Sequence, residues 1–140
     1  MSEPPVVDTV IEGAGYTVGS LDALGEGYGF RKIRRALGVE AFGVNAIVLP
    51  PRYQAGAHFH DEQEELYFVH AGLVELEFGD GTVQRLAPGG LARVAPKTIR
   101  RLRNVAHEDA VVLVVGGKGG YVGRDAHLPE GEQRAGGPID

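Results

Sequence analysis

The sequence contains no cysteine, so disulfides and thiolate metal ligands are both excluded. A cysteine-free chain fits a reducing cytoplasm, which is the expected location. Tryptophan is absent too, and aromatic residues make up only 7% of the chain. The first residues, MSEPPVVDTV, lack a basic start followed by a long apolar run, so no secretory leader is expected. No stretch approaches the roughly 20 apolar residues that a membrane helix needs, and Ala110 to Val115 is only strand-sized. Basic excess is missing as well. The net charge of -5 argues against nucleic acid as a general partner, and no membrane partner is expected.

What the chain has in quantity is glycine, 22 residues among 140. Its length suits one domain that can bury a core unaided. Glycine and proline break the middle of the chain about every 8 to 12 residues, with valine-rich runs between, the rhythm of an all-β sandwich or barrel. The expected strands are Phe42 to Leu49, Tyr53 to His60, Glu65 to Ala71, Leu73 to Phe78, Thr82 to Leu86, Leu91 to Val94, Arg100 to Val105 and Ala110 to Val115. Gly79-Asp80-Gly81 reads as a hairpin turn, since Asp and Gly tolerate positive φ. Strands this short need their edges hidden, and closure into a jelly-roll barrel does that while enclosing a cavity. The division expected is an N-terminal extension over 1–39, a barrel over 40–116 and a tail over 117–140.

The two extensions carry weaker signals. Val6, Val7, Val10 and Ile11 suggest a first edge strand, and SLDAL at 20–24 a turn or short helical piece. Arg31, Lys32, Arg34 and Arg35 form a basic cluster, read as a solvated face, with an anion-binding patch as the alternative. In the tail, GGKGGYVG resembles a phosphate loop in composition only, because Gly119 follows Lys118 where Ser or Thr is required. It reads as a loose hinge before a polar, disordered end over 130–140.

The chemistry is concentrated in His58-Phe59-His60-Asp61-Glu62-Gln63-Glu64-Glu65-Leu66-Tyr67. Side chains alternate along a strand, so His58 and His60 share a face and can reach one ion. A turn at 61–63 brings Glu64 or Glu65 back across from them. Two imidazoles and a carboxylate with open positions suit a divalent ion among Fe, Mn, Zn, Ni and Cu, and match the facial arrangement of non-haem Fe(II) sites. Tyr67 and Val69 share parity with Glu65 and should line the cavity, while Phe59, Leu66 and Phe68 should face away. Tyr67 is a candidate proton donor, although a packed aromatic with a satisfied hydroxyl is the plainer reading.

These motifs resemble the cupin superfamily, single-domain type. The family's first motif runs His-x-His, three or four residues, Glu, six residues, Gly. Here it reads His58, His60, Glu65 and Gly72, and the Gly72 spacing selects Glu65 over Glu64. The second motif resembles Pro88-Gly89-Gly90, the strand Leu91 to Val94, then APKTIRRLRN ending at Asn104. The resemblance covers about residues 40 to 116. It implies a double-stranded β-helix, a metal held by His58, His60 and Glu65, a homodimer, and oxygenases, decarboxylases, isomerases and epimerases as precedents.

One departure stands out. The family's last metal histidine falls on Arg100, and a guanidinium that is never deprotonated cannot ligate a metal. Neither His70 nor His107 is placed to replace it. At about 5 Å and an effective dielectric near 20, two unit charges interact by about 3 kcal/mol. Repulsion between Arg100 and a divalent ion is therefore close to the attraction Glu65 supplies. Two readings stay open. Either the three donors hold an ion and Arg100 binds the anionic end of a small-molecule ligand, with Arg100 and Tyr67 as candidate substrate-binding and catalytic residues, or Arg100 pairs with Glu65 in a metal-free, non-catalytic binding protein. If metal binds, its affinity should fall below about pH 6.5, where unperturbed histidine protonates.

Overall fold

A computed structural model describes residues 3–132 and 136–140. The chain begins with a hairpin, β1 (Ile11–Gly13) and β2 (Tyr16–Val18), then a 3-10 turn (Leu21–Leu24), β3 (Gly29–Arg31) and a short helix, α1 (Ile33–Leu37). The central strands are β4 (Gly43–Leu49), β5 (Tyr53–Gln54), β6 (Phe59–His60), β7 (Glu64–Ala71), β8 (Val74–Phe78), β9 (Val83–Leu86), β10 (Leu91–Val94), β11 (Arg100–Asn104) and β12 (Ala110–Gly117). Two short strands follow, β13 (Ala126–His127) and β14 (Gly137–Pro138). Among the described residues, no helix is long and apolar enough to cross a membrane.

Two five-stranded antiparallel sheets face each other, in the orders β10-β7-β12-β4-β3 and β14-β5-β11-β8-β9. The arrangement is the expected all-β double-stranded β-helix, or jelly roll. Alternation decides which residues meet between the sheets. On β7, Glu65, Tyr67 and Val69 are buried while Glu64, Leu66 and His70 are exposed. Val69, Val74, Leu76 and Val112 have no accessible surface and join Leu49, Tyr67, Val94, Leu102 and Ala110 in one core cluster. Burying each such aliphatic side chain stabilises the fold by roughly 1.5–3 kcal/mol.

Asn104 locks the end of β11. Its Nδ2 donates to the carbonyls of Leu49, Pro50 and Glu108, and its Oδ1 accepts from the Ala106 amide. Gly72 turns β7 into β8 at φ 87°, where a Cβ would meet Ala110 Cα at 2.7 Å and Asp109 O at 2.8 Å. Only glycine fits that left-handed, close-packed corner.

Three expectations need adjustment. The first edge strand does not run from Val6. It starts at Ile11 and pairs with its own return in β2, leaving Val6 92% exposed. The candidate strand from Tyr53 to His60 is interrupted between β5 and β6. The tail end, expected to be disordered over 130–140, includes β14, which pairs with β5, and Ile139 N donates to Arg52 O. Residues 133–135, which belong to the same expectation, lie outside the described residues.

Candidate metal centre

The interruption between β5 and β6 aims the first histidine. Gln54 pairs with Arg103 and His58 with Arg100, so four steps along one strand match three along the other. One extra residue makes a bulge, and a one-residue slip exchanges the two faces of a strand. His58 and Arg100 exchange both backbone hydrogen bonds, each 2.9 Å. Directly opposed residues project to the same side, which sends both side chains inward. His60 follows two residues on, and its amide donates to Pro96 O at 2.9 Å.

The turn after His60 is fixed from a distance. Asp125, next to β13, accepts the amides of Glu62 at 3.0 Å and Gln63 at 2.8 Å through Oδ2. The returning strand places Glu65 opposite the histidines. His60 Nε2 lies 3.3 Å and His58 Nε2 3.9 Å from Glu65 Oε1. The two rings are 5.2 Å apart and nearly perpendicular. One donor atom from each of His58, His60 and Glu65 lies within 4.8 Å of the others.

Glu65 is the hub. Tyr67 donates its hydroxyl to Oε1 at 2.9 Å, and Gln63 Nε2 donates to Oε2 at 3.1 Å. Arg100 Nη2 stands 3.4 Å from Oε1. Burial alone would push the Glu65 carboxyl up, but the facing His58 and His60 imidazoles and the Arg100 guanidinium outweigh it and hold the group well below the usual carboxylate range. Burial and the adjacent Glu65 charge push the Tyr67 phenol far up, so it is held as a neutral donor. Gly116 makes room for this packing: a Cβ there would meet Gln63 Nε2 at 3.1 Å and Glu65 Cγ at 3.2 Å.

Arg100 has no accessible surface. Its Nη1 donates to Pro96 O at 3.1 Å and Thr98 O at 2.6 Å. The guanidinium is thus sealed between the 95–98 turn and Glu65.

A cavity of about 640 Å³ opens onto the three donors, with Tyr67, Val114 and Gly116 in its wall. A second hollow of about 650 Å³, lined by Leu49, Ala57 and Leu102 among others, shares His58 and Tyr67 with the first. Both volumes suit a small organic molecule. The donor set fits a divalent ion. His60 is buried and neither ring nitrogen has a hydrogen-bond partner, an unusual state for an imidazole unless something else takes a nitrogen. His58 Nε2, His60 Nε2 and a Glu65 oxygen would hold the ion, which would supply Lewis-acid chemistry at this end of the cavity.

The remaining sequence candidates lie elsewhere. Glu64 is exposed and pairs with Arg93. His70 and His107 are both exposed. Asp61, Asp125 and His127 form another group of donors near the tail, where Asp61 already pairs with His127 at 2.6 Å and Lys97 at 3.5 Å. Sequence reasoning missed Gln63 and Asp125. Gln63 shares the parity of Glu65 and could have been found that way. Asp125 had no local signal, because it lies more than 60 residues from the turn it caps. The basic cluster is also better placed than a solvated face implies. Lys32, Arg34 and Arg35 stand at the mouth of the 640 Å³ cavity, with Arg124 from the tail.

A closed antiparallel barrel with an inward His-x-His, a glutamate on the next strand and a glycine corner defines a small β-barrel protein with a three-donor centre. The chain belongs to the cupin family: the Cupin domain model matches residues 46–116. Solved structures agree on the fold. A cupin protein from Bacteroides fragilis aligns with TM-score 0.62 at 22% identity, over 75% of this chain and 86% of its own. An uncharacterized conserved protein with a double-stranded β-helix domain from Klebsiella pneumoniae aligns with TM-score 0.58 at 22% identity, over 64% and 76%. The DMSP lyase DddQ from Ruegeria pomeroyi aligns with TM-score 0.55 at 23% identity, over 65% of this chain but only 45% of the lyase. No curated protein matches the sequence. At these identities the likeness carries the fold alone.

Proposed function

We propose that this cupin binds one divalent metal ion through His58, His60 and Glu65 and receives a small anionic organic molecule in the cavity above it. The observation that carries the reading is His60, buried with no hydrogen bond to either ring nitrogen, its Nε2 facing Glu65 at 3.3 Å and its Nδ1 facing Asp125 at 3.7 Å, and set within reach of His58. With three protein ligands the ion keeps positions open for water or substrate, which is what metal-assisted chemistry requires. Tyr67 and Gln63 would fix the Glu65 carboxylate as a ligand, since each donates to one of its oxygens. Homodimerisation belongs to the same reading, with Leu66 and Leu91 exposed on the outer face. Sedimentation at several concentrations tests that part.

Arg100 favours a second reading. Its guanidinium lies 3.4 Å from Glu65 Oε1 and neutralises the carboxylate without a metal, leaving a cavity that binds its ligand and performs no chemistry. Elemental analysis of protein purified without added metal, followed by titration with zinc, separates the two. The first reading expects about one ion per chain and loss of at least about 100-fold in affinity in His60→Ala, as expected for deletion of a ligand. An ion-free protein with no zinc affinity establishes the second.

A further inference from the structure

The cations of this chain differ in whether a carboxylate meets them. Arg85, Arg93, Lys97, Arg100, Arg101 and Arg103 each have a carboxylate within 3.5 Å. Among the described residues Lys32, Arg34, Arg35 and Arg124 have none, and neither do Arg31 and Lys118, but only the first four of these border the 640 Å³ cavity. Those four are the only lysines and arginines in its wall among the described residues. The four come from two segments far apart in sequence, α1 with the residue before it and the tail ahead of β13. The segments meet where the Arg34 guanidinium lies 3.8 Å over the Tyr121 ring. Stacking of that kind holds a guanidinium in place while leaving its N–H edge free to donate. Arg124 is held at φ 55°, a conformation that non-glycine residues rarely adopt. Strained backbone of this sort collects at ligand-binding positions.

The acidic groups in the same cavity are already occupied. Glu65 is met by Tyr67, Gln63 and Arg100, and Asp125 by two backbone amides. Nothing in the wall competes for the rim cations. Arg100, the residue of the second motif, has no accessible surface; its Nη1 donates to Pro96 O and Thr98 O, while its Nε has no hydrogen-bond partner in the protein.

We propose that Lys32, Arg34, Arg35 and Arg124 form the anion-recognition site of this protein, holding the carboxylate or phosphate end of a small organic molecule at the cavity mouth while its other end points to His58, His60 and Glu65. Arg100 is then the internal partner of Glu65 and does not touch the ligand. The assignment rests on the proposed ligand cavity and deepens it by naming the residues that read charge. It does not require a metal.

The test is calorimetric titration of the full chain with succinate, inorganic phosphate and the neutral succinamide, with a zinc titration in parallel. Succinate or phosphate is expected to bind, whichever is tighter identifying the anion, and succinamide to bind at least about tenfold more weakly, since charge-assisted donors favour an anion over a neutral acceptor. Lys32→Gln with Arg35→Gln, two exposed residues with no hydrogen bond to lose, should weaken the anion by about tenfold. Arg124→Gly should act in the same direction and suits the left-handed backbone there. Arg85→Gln, in a surface pair with Glu75, should leave anion binding unchanged. No anion binding by the parent protein, equal binding of succinate and succinamide, or unchanged affinity in both rim variants would overturn the proposal. Zinc affinity that survives the rim variants locates their defect at the rim. Anion binding by a protein that takes up no zinc sinks the metal reading and leaves this one standing.

Discussion

The mouth of the cavity and the interior behind its floor use the same residue type in opposite ways. Behind the floor, Arg100 is completely buried, bonded to two backbone carbonyls and set against Glu65. At the mouth, Arg35 and Arg124 are exposed and Arg34 is partly so, with no carboxylate partner among the described residues. A guanidinium with no accessible surface adds to the charges that keep its neighbour ionised and is shielded from an arriving ligand. An exposed one keeps its donors on water, from which an incoming anion can take them. On the proposed reading, the arginine nearest the three donors is not the one that meets the ligand. The contrast also generates tests, because the two kinds should respond differently to substitution and to salt.

Removing the floor cation should have the largest effect. Arg100→Met leaves Glu65 buried without its guanidinium, and breaking a buried pair from one side costs about 3–5 kcal/mol. Urea unfolding measures it, and a loss below about 1 kcal/mol would mean that Arg100 behaves like a surface charge. Next in size is Asp125→Ala. It strips the acceptor from the Glu62 and Gln63 amides, for a loss of about 1–3 kcal/mol by the same measurement. An unchanged midpoint would show that the turn holds itself. Arg100→His exchanges the floor cation for a group that can be neutral and can ligate. Zinc affinity should then rise at least about tenfold, since one unit charge at about 5 Å is worth about 3 kcal/mol at an effective dielectric near 20. A rise would place position 100 beside the ion, whereas no change would separate the two.

Most of the barrel was legible in the sequence because its signals are local. Proline pairs, the Gly79-Asp80-Gly81 turn and period-two valine runs mark strands within a few residues of themselves, and β7 through β12 fall where those marks predict. The inward set on β7 followed from parity alone. The bulge between Gln54 and His58 was not legible, since its extra residue is defined only against β11. The tail was hardest. Gly119-Gly120 and the polar residues after them read as a loose end, yet Asp125 caps the turn after His60 and β13 pairs with β6. That role depends on partners more than 60 residues away, which no window along the sequence reports. The basic cluster at 31–35 left a solvated face and an anion-binding patch both open, because a sequence shows charge without showing which cavity the charge borders.

At the mouth the comparison predicts small effects on stability and larger ones on binding. Rim cations are exposed, so added salt should weaken succinate or phosphate binding several-fold between low and high ionic strength, where the screening length falls from about 30 Å at 0.01 M to about 3 Å at 1 M. Salt-insensitive anion affinity would point to a buried contact instead, and so back to Arg100.

The smallest stability change belongs to Arg124→Gly. Holding a residue with a side chain in the left-handed region costs roughly 1–2 kcal/mol, while the extra freedom glycine gives the unfolded chain costs about 0.5–1 kcal/mol. The two nearly cancel, so the urea midpoint should stay within the equivalent of about 1 kcal/mol of the parent or rise slightly. Its neighbour Asp125 is buried and doubly bonded, so the strap keeps its anchor when Arg124 is lost. Anion affinity falling while stability holds would show that the strain at φ 55° is kept for the ligand and not for the fold. A loss above about 2 kcal/mol, well outside that cancellation, would make Arg124 a structural clamp and erase the distinction between floor and mouth.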